Sequence, residues 1–176
     1  MFMHLYLSPI GQLLLTADDT ALVALRFYDV ERSCLSPDDT ACNDHAILQA
    51  ARHWLDVYFS GLKPSFMPPL RPTGTDFQQD VWRLLQEIPY GKTTTYGEIA
   101  AALAARRGIP RMSAQAVGGA VGRNPIPIFI PCHRVVGSGG KLTGYSGGLE
   151  RKQFLLSNER IDNSTLQCDP GLNTLL

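Results

Sequence analysis

The sequence predicts an α/β protein in two parts, a small strand-and-helix unit followed by a mainly helical one. Three observations carry this. Short β-rich apolar runs over 2–8, 12–17 and 21–28 are separated by the turn formers Ser8-Pro9-Ile10-Gly11 and Asp18-Asp19-Thr20, the pattern of an antiparallel meander. From His45 to Phe59, the apolar residues Ile47, Leu48, Ala51, Trp54, Leu55, Tyr58 and Phe59 recur at helical spacing with one buried face. Farther on, Thr75-Asp-Phe-Gln78 and Thr95-Tyr-Gly-Glu98 both read as capping boxes, in which a threonine caps the first turn and a Gln or Glu three residues later reaches back.

Taken in order, residues 31–43 read as loop, and Gly61 ends the first helix. The stretch 61–74 holds Pro64, Pro68, Pro69 and Pro72 and reads as a linker. It separates an N-terminal domain over 1–70 from a C-terminal one over 75–161, with 162–176 expected to be a flexible tail. In the second domain, Phe77, Val81, Trp82, Leu85 and Ile88 form the stripe of a helix that Pro89-Tyr90-Gly91-Lys92 breaks. The next helix runs from Thr95 to about Ala105. After a loop with Arg106, Arg107, Gly108 and Pro110, Ser113 to Gly122 reads as a short helix poor in large side chains. Two helices so joined fit a helix-turn-helix.

Composition narrows the function classes. No apolar run approaches the roughly 18 residues that span a bilayer, and the N-terminus lacks the basic region and cleavage site of a signal peptide. The spacing of Cys34, Cys42, Cys132 and Cys168 matches no zinc ribbon or disulfide scaffold, so reduced thiols in a cytoplasmic protein are expected. A metal site from Cys34, Cys42 and His45 is conceivable. The net charge is zero but unevenly spread. Residues 1–75 hold five Lys/Arg against eight Asp/Glu, whereas residues 76–160 hold eleven against six. No acidic residue lies between Glu98 and Glu150, an interval with Arg106, Arg107, Arg111, Arg123, Arg134 and Lys141. That half suits either a phosphate-facing surface or a solvated basic face with no partner.

The segment Asn124-Pro-Ile-Pro-Ile-Phe-Ile-Pro131-Cys132-His133-Arg134-Val135-Val136 carries the chemistry. Its three prolines exclude helix and cannot supply a central strand's hydrogen bonds, so the chain is expected to be stiff and extended. A cysteine placed at its end, followed by His and Arg, sits among groups that can lower a thiol pKa from about 8.5 and make a nucleophile. The other reading is a buried cysteine packing as a small hydrophobe.

Pro131-Cys132-His133-Arg134-Val135 resembles the active-site motif of the O6-alkylguanine-DNA alkyltransferase family. The likeness extends to Ala116-Val-Gly-Gly-Ala-Val-Gly-Arg-Asn124-Pro before it, and to Gly144-Tyr145-Ser146-Gly147-Gly148, Lys152, Leu155-Leu156 and Glu159 after it. Upstream, Trp54-Leu-Asp-Val-Tyr-Phe59, Phe77-Gln-Gln-Asp-Val-Trp82, Ile88-Pro-Tyr-Gly91 and Tyr96-Gly97 are also similar. The resemblance implies a ribonuclease-H-like α/β domain followed by a helical domain with a winged helix-turn-helix. It implies a suicidal methylated-DNA–protein-cysteine methyltransferase: an alkyl group moves from O6-alkylguanine, and conceivably O4-alkylthymine, to Cys132 once per chain. His133 would be the base through a bound water, Glu159 would orient it, and Asn124 would hold the active-site turn. Tyr96 would contact the flipped guanine and assist its departure. Tyr145 and Ser146 would form the lip of the pocket, Val135 its wall, and Lys152 would belong to the pocket loop or be a surface charge. Arg134 would be structural or take a direct part.

The implied partner is double-stranded DNA, bound through the minor groove with the damaged base flipped out by a monomer, with no membrane, cofactor or metal. Ala114, Ala116, Gly118 and Gly119 would let a helix lie close in the groove. Gln115 stands where many members carry an arginine that fills the gap left by the base, and Arg111 or Arg123 could substitute. The stretch between Tyr96 and Gln115 is longer than in some members, placing extra chain near Arg106-Arg107-Gly108 beside the expected backbone contacts. Three alternatives stand beside this reading: a non-catalytic alkyltransferase-like lesion-binding protein, a cysteine hydrolase and a plain DNA-binding regulator.

Overall fold

The computed structural model describes residues 1–28, 45–161 and the backbone of 167–168. It divides into two compact units, Met1–Thr73 with Pro125–Phe129, and Gly74–Asn124 with Ile130–Leu176. Cys34 and Cys42, and with them the conceivable metal set, lie outside the described residues. So does the tail expected to be flexible, apart from residues 167–168.

The first unit is a three-stranded antiparallel meander, β1 (Phe2–Ser8), β2 (Gly11–Ala17) and β3 (Leu22–Phe27), carrying helix α1 (Ala46–Phe59). Along β2 the side chains alternate: Leu13, Leu15 and Ala17 are fully buried, while Gln12, Leu14 and Thr16 are half-buried. Ser8 donates its hydroxyl to the Gly11 carbonyl across the first turn, and Gly11 has φ 107°, which a glycine adopts without strain. The Asp18 carboxylate closes the second turn by accepting from the amides of Thr20 (2.8 Å) and Ala21 (3.0 Å). Helix α1 packs on the sheet through Leu48, Ala51, Trp54, Leu55 and Tyr58. The core of this unit is not built from the first third of the chain alone. Phe129 lies with its ring centroid 4.4 Å from that of Trp54, and the Leu25 amide donates to the Pro125 carbonyl (2.9 Å).

In the second unit both predicted capping boxes are present. Helix α2 (Asp76–Gln86) starts at Thr75, whose hydroxyl accepts from the Gln78 amide while the Gln78 side chain accepts from the Thr75 amide. After the two-residue strand β4 (Thr94–Thr95), helix α3 (Tyr96–Arg106) opens with the same reciprocal pair between Thr95 and Glu98. Helix α4 (Ala114–Gly122) follows, capped by Ser113. The Trp82 indole N–H of α2 donates to the Ala120 carbonyl of α4 (2.9 Å), satisfying a buried polar group between packed helices. Strand β5 (Val135–Val136) pairs with β4 in parallel, and β6 (Lys141–Leu142) pairs with β7 (Gln167–Cys168). Helix α5 (Leu149–Asn158) contributes Leu156 to a small core with Val136 and Leu142.

The proline-rich segment departs from the expectation of extended chain. Ile128 takes φ 75°, and Cys132–Arg134 form a 3-10 turn closed by the Arg134 amide donating to the Pro131 carbonyl (3.1 Å). The prolines do exclude helix and ladder, but they leave the backbone to turn. In a turn of three residues, neighbouring side chains diverge by roughly 120° rather than 180°, so Cys132 and His133 are not on opposite faces of a strand.

Candidate active site

Cys132 opens the 3-10 turn and is buried, in no disulfide. Its position is set by Asn124, whose side-chain amide donates to the Ile130 carbonyl (2.8 Å) and also hydrogen-bonds the sulfur. Burial pushes the thiol pKa up to about 11, because a thiolate there would lose its hydration. The Asn124 hydrogen bond, the Lys152 charge and the amides of Cys132 and His133 all act in the opposite direction. The resting group is therefore a thiol that needs a base.

The next residue in the turn is an imidazole. His133 is fully buried, and its Nε2 lies 2.7 Å from Glu159 Oε1. Burial lowers the His133 pKa, and the charges of Arg134 and Lys152 lower it further against the pull of Glu159. Burial alone would raise the Glu159 pKa, but hydrogen bonds and charge from His133 and Arg134 hold it down at about 2. An ionised carboxylate can only accept, so the hydrogen between the two groups belongs to Nε2. A neutral imidazole carrying that hydrogen has Nδ1 as its basic nitrogen.

Glu159 is held by more than His133. Arg134 approaches it with two donors, Nε to Oε2 (2.8 Å) and Nη2 to Oε1 (3.0 Å), and the Gly91 amide donates to Oε2 (3.1 Å). The third Arg134 donor, Nη1, bonds the Ile88 carbonyl (2.7 Å), and the guanidinium lies 5.7 Å from the Tyr90 ring centroid. Two features favour glycine at position 91. Its φ is 74°, and a Cβ would come within 3.2 Å of the Glu159 carbonyl. The sequence flagged Ile88-Pro-Tyr-Gly91 as part of the resemblance but assigned it no task.

Cys132 lines a cavity of about 240 Å³ together with Tyr96, Gly118, Val121, Gly122, Gly144, Tyr145 and Ser146. Tyr96, Tyr145 and Ser146, which the resemblance assigned to the pocket, thus share one cavity with Cys132. Both tyrosines are near enough to the sulfur for a thiolate to raise their pKa, although burial is the larger cause for each. The Tyr96 hydroxyl makes only a long hydrogen bond to the Thr143 carbonyl (3.5 Å). A larger hollow of about 400 Å³ along α3, lined by Ala100, Ala101, Ala104, Ile109 and Met112, holds no nucleophile.

Two expectations are corrected. Val135 is not a wall of the cavity. Its side chain is fully buried in β5, and its carbonyl accepts from Lys152 Nζ (2.6 Å). Lys152, expected in the pocket loop or else at the surface, is neither exposed nor among the residues lining the cavity: it is fully buried on α5, also donating to the Thr143 carbonyl (2.8 Å). Burial lowers its pKa to about 8, against the charge of Cys132, which would raise it. The outer face of α4 presents Ala114, Gln115 and Ala116 to solvent, with Gly118 and Gly119 half-buried. Arg111 and Arg123 are exposed, and Arg123 donates back to the Gly119 carbonyl (3.1 Å). Arg106 and Arg107, near the longer loop, each pair with a carboxylate at the surface. Arg106 pairs with Glu87, and Arg107 pairs with Asp80 (2.6 Å) with its guanidinium 5.5 Å from the Phe77 ring centroid. Among the described residues no His/Cys/Asp/Glu group is placed to hold a metal ion, and no helix is long and apolar enough to cross a membrane.

The chain is similar to known proteins over nearly its whole length. Residues 76–161 match the 6-O-methylguanine DNA methyltransferase DNA-binding domain, and residues 1–72 match the ribonuclease-like domain of the same family. The methylated-DNA–protein-cysteine methyltransferase of Methanosarcina acetivorans is 46% identical over 159 residues, spanning 90% of this chain and 98% of that protein. The Haemophilus influenzae protein of that name is 43% identical over 89% of this chain and 84% of its own. The crystal structure of Mycobacterium tuberculosis OGT in complex with DNA superposes with a TM-score of 0.76 at 41% identity, covering 94% of this chain and 95% of that one. With both of the family's domains matched along the chain and relatives above 40% identical over most of their length, the chain belongs to the 6-O-methylguanine DNA methyltransferase family.

Proposed function

We propose that this protein repairs DNA directly, moving an alkyl group from O6 of guanine onto the Cys132 sulfur once per chain. The supporting observation is a buried thiol that both lines a cavity and neighbours an imidazole whose Nε2–H is committed to an ionised carboxylate. Family membership and a relative crystallised with DNA support DNA as the partner.

The chemistry is a displacement at carbon. The thiol proton passes through a bound water to His133 Nδ1, and the sulfur lone pair forms the S–C bond. The C–O6 bond breaks, its electrons move into the purine, and the proton is returned to the guanine, so the products are a thioether and intact guanine. Tyr96 gives up its weak bond to Thr143 and donates to the purine as negative charge builds there. Lys152 sets a positive charge near the sulfur, favouring the thiolate in a dry site. Tyr145 and Ser146 border the base, and Asn124 keeps the thiol aimed. No group in the site offers a route to cleave a thioether, which makes the protein a single-use reagent.

On this reading α4 enters the minor groove. Ala114, Ala116, Gly118 and Gly119 permit close approach, Gln115 occupies the space vacated by the flipped base, and Arg111 and Arg123 face phosphates. The protein acts as a monomer in the cytoplasm, where Cys132 stays reduced. Intact mass before and after incubation with a duplex bearing one O6-methylguanine tests the proposal. The expected result is one methyl gained per chain, mapping to Cys132 and absent in Cys132→Ser, which still binds the duplex. Continued turnover, or transfer by the serine variant, would overturn it.

A further inference from the structure

The carboxylate of Glu159 is bound more tightly than a histidine orienter requires. Four donors converge on it within 3.1 Å, two of them from the Arg134 guanidinium. His133 and Glu159 are wholly buried, and Arg134 is nearly so. The proton count of such a pair depends on the charges around it. With Arg134 present, a neutral imidazole, a carboxylate and a guanidinium sum to zero. Without Arg134, the pair alone would carry a buried negative charge, and the lowest-energy remedy is to take up one proton. That proton could sit in either of two places. On the imidazole it makes imidazolium, whose two nitrogens are both donors. On Glu159 the carboxyl would donate to Nε2, and the neutral ring would then carry its hydrogen on Nδ1. Both placements remove the basic nitrogen that faces away from Glu159.

We propose that Arg134 is a positioning residue that keeps the His133–Glu159 pair one proton short, and so keeps Nδ1 basic. Arg134 touches neither the sulfur nor the cavity lining, and it acts through Glu159. The charged and titratable groups around the pair are consistent with this assignment. The 3-10 turn contributes Cys132 and Arg134. The turn after α2 contributes Tyr90 and the Gly91 amide. Helix α5 and its end contribute Lys152 and, near Tyr90, Arg160. Lys152 acts in the same direction as Arg134, but its ammonium donates to the Val135 and Thr143 carbonyls and not to the carboxylate. Tyr90 adds no charge; it covers the guanidinium face and hydrogen-bonds the Asn158 carbonyl (3.3 Å), beside Glu159.

The inference rests on His133 being the base of the proposed transfer, but its first test does not use transfer at all. Nitrogen-15 NMR of the His133 ring in the native protein should show Nε2 protonated, Nδ1 unprotonated and no titration from pH 5 to 9. A charged ring at neutral pH would overturn the proposal even if the protein repairs DNA. Conversely, a native protein that transfers nothing yet shows this ring state would sink the repair reading and leave the tautomer assignment standing. The second test is the alkyl-transfer rate of Arg134→Met relative to native, followed across pH. The ratio should rise about tenfold per pH unit and level off above the apparent pKa of the pair. Arg134→Lys, which retains the charge, should restore a pH-independent ratio. A flat ratio for Arg134→Met would mean that Arg134 is merely structural. Should the Met variant not fold, the native ring spectrum and the Lys profile still decide, since a pH-dependent loss in Arg134→Lys with a neutral native ring would refute a role through charge.

Discussion

Acidification should release the His133–Glu159–Arg134 cluster by a calculable amount. Glu159 has its pKa lowered from 4.5 to about 2 in the fold, with burial overcome by the hydrogen bonds and charges of His133 and Arg134. A carboxylate depressed in the folded state contributes stability that is fully present above the unfolded value and lost as pH falls through the folded one. At about 1.4 kcal/mol per pH unit, the whole contribution is about 3 kcal/mol, of which about 2 kcal/mol should be gone by pH 3. Glu159→Gln removes the titration and leaves the Arg134 charge without its partner, so at pH 7 the variant should be about 3–5 kcal/mol less stable than native. Urea unfolding of both proteins at steps from pH 7 to pH 3 measures the gap between them, which should narrow by about 2 kcal/mol below pH 4.5. His133, held neutral by burial, adds a loss of the same sign that starts higher, as pH falls below 6.5, and this separates the two groups. A gap that stays constant from pH 5 to pH 3 would show that the fold does not depress the Glu159 pKa, and a gap that widens would show the carboxyl protonated; the tautomer argument for His133 loses its support in the first case and falls in the second.

Two further outcomes concern the proposed DNA chemistry. Tyr96→Phe keeps the ring but removes the only hydroxyl offered to the departing purine from α3. Single-turnover transfer should slow by about 10²-fold with duplex affinity little changed, and an unaltered rate would assign the donor elsewhere. Gln115→Arg, on the exposed face of α4, should tighten duplex binding. It should also steepen the dependence of log K on log salt by about one; an unchanged slope would place residue 115 away from the DNA.

Residues near one another in the chain were legible in the sequence. The two capping boxes are hydrogen-bond cycles closed within four residues, so Thr75–Gln78 and Thr95–Glu98 announce the starts of α2 and α3 before any tertiary contact is known. The buried face of α1 follows from helical spacing and the meander from turn chemistry. The Cys132–His133 pair and its carboxylate were legible through resemblance, whereas the 3-10 turn between them was not. Prolines state which hydrogen bonds are forbidden and leave open which turn the backbone takes.

What the sequence could not determine was which of several distant partners each charged side chain would take. Arg134 and Glu159 are 25 residues apart, Arg106 and Glu87 19, Arg107 and Asp80 27. Nothing periodic links these positions, and a count of charges made the second half look more openly basic than it is. The same holds for Lys152 and Val135: the lysine was read by resemblance as part of the pocket loop or else as a surface charge, and the valine as pocket wall, whereas packing buries the valine and sets the ammonium against two carbonyls. The sequence by itself determined the N-terminal meander and helices α1 to α4, because short-range hydrogen bonding and side-chain periodicity are written in consecutive residues, while the family was legible through its motifs and α5 and the two-residue strands were not read. Only the tertiary structure assembled the His133–Glu159–Arg134 cluster, because desolvation and charge pairing depend on which side chains the fold brings into the same dry volume.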